Sequence, residues 1–517
     1  MRAHPQPHPQ PHHQHSPGPS VSPVRPRFLS EAECHDIAQR LTRFARGPGD
    51  TNVAIVSQWT GNVRWARNRI FTAGEDRDNR IEVKRNLRGA RGAVTINTVT
   101  DEALLAATRQ AERLARMEDE EVDADATTRS DSPFRYQEEP YTAPTLFFDA
   151  TYQLDADRRA ETARQLIQSA SAAGMLSAGY IQVSATSTAY LTSWGFTRYY
   201  QYTWAQYSVT VRDPNGVGSG WAGVDWPDWS RVDGMKLSAI ALDKCLKSRN
   251  PVVIEPGRYT TILEPQAVCD FVGQLMFNGG PGRQSNEIFA DAPFHKAGTH
   301  EPGTSDGSPL GFSRLGERVV DERLSIRADP LDPELGFPPF RKTDLHTTDD
   351  DWHPIKIYHP ATWIDRGVLT TESYDRQFAR QQLGRDAGLP NSGAFRMSGG
   401  DTSIAEMIAT TKRGLWVTRF DQVDGPFGGA AELCRGYTRD GLWLIENGTV
   451  SKPVKNMIFV ESILFALNNV EQLGPPQRVF HPAPSGSLIQ WFTDPQPVIV
   501  PPLKIRDFSF TALSGAL

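Results

Sequence analysis

Cysteine is scarce in this chain. Four residues among 517, Cys34, Cys245, Cys269 and Cys434, stand far apart with no CxxC pair. That spacing argues against a disulfide framework and predicts free thiols in a reducing compartment. Long apolar runs are also missing. None approaches the roughly 20 residues that a bilayer span requires, so no membrane partner is expected. The N-terminal residues contain no apolar leader segment, and a cytoplasmic location is expected. Positive charge is not in excess. Lys and Arg number 55 against 61 Asp and Glu, a net charge of −6, which offers no footprint for nucleic acid. No P-loop is present. Gly216, Gly218, Gly220 and Gly223 make a glycine-rich crossing, but not at a strand-to-helix junction, so a nucleotide reading is weak.

What remains is an ordinary polar-leaning composition, 38% hydrophobic and 22% charged, long enough for several cores. Residues 1–26, rich in Pro, His and Gln, read as a disordered tail. Ser30 and Glu33 form a capping box ahead of Ile37, Leu41 and Phe44 at helical spacing. Val53–Val56, Val63–Ile70, Ile81–Lys84 and Ala93–Ile96 read as strands, with a charged turn at Glu75–Asp78. Helices are predicted near Thr100–Arg116 and Asp155–Ser171. The aromatic run Tyr199, Tyr200, Tyr202, Trp204 and Tyr207 reads as packing of a wide sheet rather than a ligand platform. The pattern is α+β: an N-terminal domain with an antiparallel sheet and helices over 27–235, then a β-rich C-terminal domain of antiparallel strands over 236–517. Asp349–Asp351 reads as a solvated hairpin tip. His295, His300, His346, His353 and His359 are loop histidines, more often structural than ligating.

The densest local signals lie between Asp401 and Asn456. Ser403 and Glu406 form a second capping box, with Ile404, Met407 and Ile408 on one helical face. Gly414 reads as that helix's C-cap. Leu415–Phe420 is β-branched and aromatic, a strand. Asn447-Gly448 between apolar runs predicts a two-residue hairpin pairing Trp443–Glu446 with Thr449–Val450.

The order Asp401-Thr402-Ser403, Glu406-Met407-Ile408, Thr411-Lys412-Arg413-Gly414-Leu415, Val417-Thr418-Arg419-Phe420, Ile445-Glu446-Asn447-Gly448 and Pro453-Val454-Lys455 resembles the C-terminal signature of the TldD/PmbA family, also called modulators of DNA gyrase. The resemblance implies zinc peptidase subunits of TldD type and PmbA (TldE)-type subunits that pair with them and lack the metal motif. It also implies a shared N-terminal domain with an Asn-x-Ile segment like Asn68-Arg69-Ile70. In the TldD-type pattern, HExxxH on a helix follows a segment like Pro251–Gly257; two histidines bind zinc, the glutamate is the base, and a later cysteine completes the site.

Here the ungapped equivalents of the two histidines are Glu264 and Cys269, and the base position is Pro265. Proline cannot take a proton from water. After Leu473, where the late cysteine would fall, the chain has His481 and no Cys. Glu264 and Pro265 instead suit a helix start. The resemblance is therefore to the PmbA/TldE-type subunit. It implies a non-catalytic partner in a TldD-type zinc metallopeptidase complex acting on short or unfolded peptides, with no cofactor in this chain and zinc in an HExxxH-bearing partner. Thr411, Arg413, Gly414, Thr418 and Arg419 are the candidates to line a peptide chamber. Two rivals stand beside this reading. One is an autonomous metallohydrolase using Glu264, Cys269 or the 346–359 histidines. The other is a peptide-binding module for modification without proteolysis.

Overall fold

The computed structural model describes residues 28–47, 49–87, 90–121, 141–216, 218–277, 315–342, 355–374, 379, 383–385, 388–427, 433–481 and 495–515. The 1–26 tail, His295, His300, His346, His353 and Asp349–Asp351 lie outside the described residues.

Ser30 accepts from the Glu33 backbone while the Glu33 carboxylate accepts from the Ser30 backbone, and this capping box starts α1 (Glu31–Phe44) as expected. Two long antiparallel strands follow, β1 (Asp50–Ala66) and β2 (Arg69–Leu87). The sequence pattern placed two strands within 53–70 and a turn at Glu75–Asp78. The chain reverses earlier instead, at Arg67-Asn68, both at positive φ of 50° and 59°. The Asn68 side chain fixes that turn by donating to the Met175 carbonyl and accepting from the Ser177 backbone. The charged run stays extended because Glu75 has inward partners: the Trp59 indole donates to it, and Arg159, fully buried, pairs with it at 2.8 Å.

β3 (Ala90–Ile96), α2 (Asp101–Glu121), α3 (Asp149–Tyr152), α4 (Ala156–Ala172), β4 (Leu176–Thr192), β5 (Thr197–Arg212), β6 (Ser219–Trp226) and α5 (Gly234–Lys247) complete the N-terminal half. Its sheet runs β3-β2-β1-β4-β5-β6, with every pair antiparallel. One face is apolar and carries the helices: Val53 and Ile55 meet α1 and α2, while Val63, Trp65 and Tyr207 meet α4 and α5. Strand alternation turns Asn62, Gln182 and Gln206 to the opposite face. At Gly220 a Cβ would stand 2.1 Å from the Ala241 carbonyl of α5, and at Gly218 2.6 Å from that of Cys245. These glycines serve close helix–strand approach. α5 is thus packed tightly on β6.

The C-terminal half starts with β7 (Gly257–Leu263) and α6 (Pro265–Phe277). β8 (Ile326–Ala328), β9 (Phe340–Lys342), β10 (Ile355–Ile357), β11 (Ala361–Asp365), β12 (Val368–Leu369) and β13 (Phe395–Met397) follow. Then come α7 (Ile404–Ala409), β14 (Arg413–Phe427), β15 (Leu433–Glu446), β16 (Thr449–Pro453), β17 (Met457–Ser462), α8 (Ile463–Asn468), β18 (Val470–Leu473), β19 (Gln477–Val479), β20 (Val498–Val500) and β21 (Leu503–Leu513). One sheet runs β12-β11-β8-β13-β20-β19. A second runs β14-β7-β21-β17-β15-β16, and β14 also pairs with β15, which closes five strands into a ring. Only β7–β14 and β13–β20 are parallel among the described strand pairs. The fold is thus α+β with a β-rich C-terminal half. Phe271 of α6 packs edge-on against Phe420, Phe459 and Phe508 in the core.

α7 opens with the predicted Ser403–Glu406 capping box but ends at Thr410. Gly414 is not its cap. It lies in β14, where a Cβ would stand 2.4 Å from the Thr260 carbonyl of β7. Asn447 and Gly448 take φ of 48° and 79°, and Glu446 and Ile445 pair with Thr449 and Val450, as expected for the hairpin. β9 and β10 press Phe340, Ile355 and Ile357 onto Tyr190, Tyr200 and Tyr202 of the first sheet, so those aromatics serve packing. Among the described residues no helix is long and apolar enough to cross a membrane.

The contact between α5 and β6 gives a direct test. Gly220→Ala forces the helix off the strand and should cost about 1–3 kcal/mol of stability. Urea unfolding measures it; an unchanged midpoint would mean that α5 does not pack as described.

Candidate functional site

β7 delivers the chain to the expected position. Glu264 follows it directly, its backbone N–H donating to the Val417 carbonyl of β14 at 2.9 Å. Pro265 is the first residue of α6, where its missing N–H costs nothing, and Val268 N–H closes the first turn on the Glu264 carbonyl. The Glu264 carboxylate reaches across to the N-terminal half and pairs with Lys244 of α5 at 2.7 Å, both side chains mostly buried. One turn on, Cys269 is fully buried in the C-terminal core. Burial, with Asp270 and Asp225 nearby, pushes its thiol well above the ordinary range. A cysteine binds zinc as the thiolate, and a catalytic zinc site keeps an open coordination position. Glu264 is engaged and Cys269 is sealed, so this donor set does not fit a catalytic zinc ion.

Around α6 the polar groups instead interlock. The Gln266 amide donates to Asp270 at 2.8 Å and to the Phe480 carbonyl at 3.0 Å, and accepts from the Phe480 N–H at 3.2 Å. Asp270 also accepts from the Phe420 N–H at 2.9 Å. Burial raises its carboxyl to about 6 against the pull of Arg419 and these donors. Beside it, Arg478 of β19 donates through Nε to the Asp225 carbonyl at 2.6 Å and through Nη2 to its carboxylate at 3.1 Å. The His481 N–H donates to the other carboxylate oxygen at 2.9 Å. The guanidinium also lies 4.2 Å over the Trp226 ring and 5.2 Å over Trp204. Burial pushes the Asp225 carboxyl up while Arg478 draws it back. Burial holds the His481 imidazole down at about 4, so it is neutral at neutral pH.

The chamber candidates fall into two groups. Thr411, Arg413 and Gly414 lie by the 447–448 hairpin, whose Gly448 N–H donates to the Thr411 carbonyl. Thr411 is buried and donates to the Met407 carbonyl, Gly414 is buried against β7, and Arg413 is exposed. Thr418 and Arg419 lie instead at the junction of the halves. Thr418 is buried against Arg439 and Asp440, and Arg419 stacks 4.8 Å over Trp221 and pairs with Asp440 at 3.5 Å. Sequence reasoning missed Asp225, Gln266, Asp270 and Arg478. Two carried a signal: Asp225 is a lone acid in a tryptophan-flanked strand, and Asp270 a lone acid on an otherwise apolar helix face. Isolated charges in such settings need a partner. His359 is the one loop histidine of the 346–359 set among the described residues; it is half-buried before β11. Among the described residues no three His, Cys, Asp or Glu side chains are grouped to hold a metal.

The comparisons with known proteins agree with this architecture. Residues 256–512 match the model of the PmbA/TldA metallopeptidase C-terminal domain. The chain belongs to the TldD/PmbA family. Its structure is similar to that of a Bacteroides thetaiotaomicron protein described as a modulator of DNA gyrase, with a TM-score of 0.69, 16% identity, and coverage of 94% of this chain and 100% of that one. A Thermotoga maritima protein of the same description gives a TM-score of 0.66 at 14% identity, covering 92% of this chain and 100% of that one. TldE from Thermococcus kodakarensis gives 0.65 at 15% identity, covering 92% and 99%. No curated protein matches the chain. At these identities the structural likeness establishes the fold.

Two stability measurements probe this network. Arg478→Met leaves Asp225 buried without its cation and should cost about 3–5 kcal/mol; adding Asp225→Asn should recover part of that. No recovery would mean that the loss is packing alone. A buried carboxyl raised to about 6 stabilises the fold below its unfolded value near 4, and that contribution is lost as pH rises through about 6. His481, held down at about 4, acts in the opposite sense across the same window, so the comparison is made against wild type. Asp270→Asn should therefore be at its worst near pH 4 and gain on wild type by about 3 kcal/mol by pH 7. A pH-independent difference between the two would refute the raised carboxyl.

Proposed function

We propose that this chain is the non-catalytic, TldE-type partner of a TldD-type zinc metallopeptidase, and that together the two close a chamber admitting short or unfolded peptides. One observation carries the reading. The positions equivalent to HExxxH hold Glu264, bound to Lys244 of the other half, Pro265 at the first helical position, and Cys269 sealed in the core. Zinc hydrolysis needs three protein ligands, an open position for water and an adjacent base. This chain keeps the helix that presents those groups and uses its side chains to join the two halves. The metal, the base and the activated water then come from the partner's HExxxH. The N-terminal half and the β14–β16 region supply walls; of the five candidates Arg413 and Arg419 have side chains that reach the surface, while Thr411, Gly414 and Thr418 are buried and support the wall from behind. Family membership and the similarity to TldE from Thermococcus kodakarensis support the pairing.

The test is a peptidase assay with unfolded peptide on the chain alone and mixed with a TldD-type chain from the same organism. Cleavage is expected only in the mixture, blocked by chelator and unaffected by Glu264→Ala at a temperature where the variant stays folded. Chelator-sensitive cleavage by this chain alone, abolished by Glu264→Ala or Cys269→Ala, would make it an enzyme in its own right.

A further inference from the structure

The helix-free face of the first sheet carries an unusual row. Asn62 of β1 stands directly opposite Gln182 of β4, Gln182 opposite Gln206 of β5, and Gln206 opposite Asp225 of β6. Directly opposed residues have their Cβ atoms about 5 Å apart, so the three carboxamides form a continuous line across the strands. That line ends at the carboxylate held by Arg478 and His481, beside the N-terminal end of α6. All three side chains are half-buried. The other face of the same strands is packed with Val63, Ile181 and Tyr207 under helices, so burial alone did not require amides here.

None of the three carboxamides has a hydrogen-bond partner among the described residues, although Gln58 in the next row but one is bound to Thr186. The Asn62 Oδ1 atom is itself buried and unpartnered. A buried acceptor left without a donor costs free energy, which a bound donor would recover. The C-terminal half walls the row on one side, where Phe480 packs on Trp221 and Arg478 on Trp204.

We infer that this carboxamide row is a binding site for the backbone of an extended peptide. A carboxamide presents an NH2 donor group beside a carbonyl acceptor, complementary to the N–H and C=O of a peptide group, so the row recognises main chain and ignores sequence. Its centre is uncharged; one flanking row carries Thr60 and Ser184, Arg64 on the other side lies over the Tyr180 ring, and Arg478 at the end of the row is paired with Asp225. A charged ligand therefore finds no counter-charge at the centre of the row. A sugar ring needs an open aromatic face, and those faces are occupied: Trp204 by Arg478, Trp221 by Arg419 and Phe480, Tyr180 by Arg64. An apolar protein surface would leave the amides unpaired. The inference rests on the proposed function only for the peptide nature of the substrate, and does not depend on zinc or on the partner.

The test uses the full chain alone and a fluorescein-labelled flexible peptide of about ten residues, with binding read by anisotropy. Wild type should bind it. Gln182→Met with Gln206→Met should weaken binding at least about tenfold, and Asn62→Leu should do so on its own to a smaller degree, with thermal unfolding unchanged. A second arm needs no variant. The same peptide with alternate backbone nitrogens methylated should bind wild type at least about tenfold more weakly, since the donors along one edge of the extended chain are gone. No binding by wild type, equal binding of the methylated peptide, equal binding by folded variants, or displacement by an oligosaccharide in place of peptide would each overturn the assignment. None of these results depends on cleavage, so the site and the partnership can fail separately.

Discussion

The buried pair between Asp225 and Arg478 is the contact on which the rest of the molecule hangs. Two ions cannot lie in a protein interior unless each is matched and hydrogen-bonded, and a lone survivor of the pair is costly. Here the match spans the two halves: the acid is on an edge strand of the first sheet, the base on a strand of the second half, and two indole rings flank the guanidinium. Lys244–Glu264 and the Trp443 indole donating to the Lys247 carbonyl, at 3.2 Å, add ties along the same seam. The junction is fixed because moving either half would strand a charge in apolar surroundings.

That seam passes through Glu264 and the start of α6, the positions that the proposed reading aligns with the metal motif of a TldD-type subunit. The helix start is intact, and its strand approaches through a parallel pairing with β14. The side chains, though, face inward to the fold rather than outward to a ligand. A position that could carry a ligand to metal carries a salt bridge between halves; another fills the core. Retention of scaffold with redirection of side chains is what a subunit needs if it must match a partner's shape without duplicating its chemistry. The amide row then gives the remaining open face a role of its own, leading from the first sheet toward the same seam.

Much of this was legible locally. Ser30 with Glu33, Ser403 with Glu406, and Asn447-Gly448 each specify a turn or helix start through contacts within a few residues, and all three form as read. The family motifs between Asp401 and Lys455 were equally direct. Errors came where long-range partners overrode local signals. The charged run at Glu75–Asp78 looks like a turn until Arg159, 84 residues away, is seen to draw Glu75 into a strand. Gly414 looks like a helix cap, but the approach of Thr260 decides its place. Arg478 and Asp225 lie 253 residues apart, and no spacing rule connects them. The carboxamide row was invisible for the same reason: three residues on three strands become neighbours only through sheet register.

We propose that the HExxxH-equivalent positions serve the fold and not a metal. Native mass spectrometry under zinc, on this chain alone and with a TldD-type chain, tests it most directly. The expected result is a zinc-free species for the chain alone and a hetero-oligomer whose zinc count equals its number of TldD-type chains. Stoichiometric zinc retained by this chain alone, and lost on Cys269→Ala with the fold intact, would contradict it.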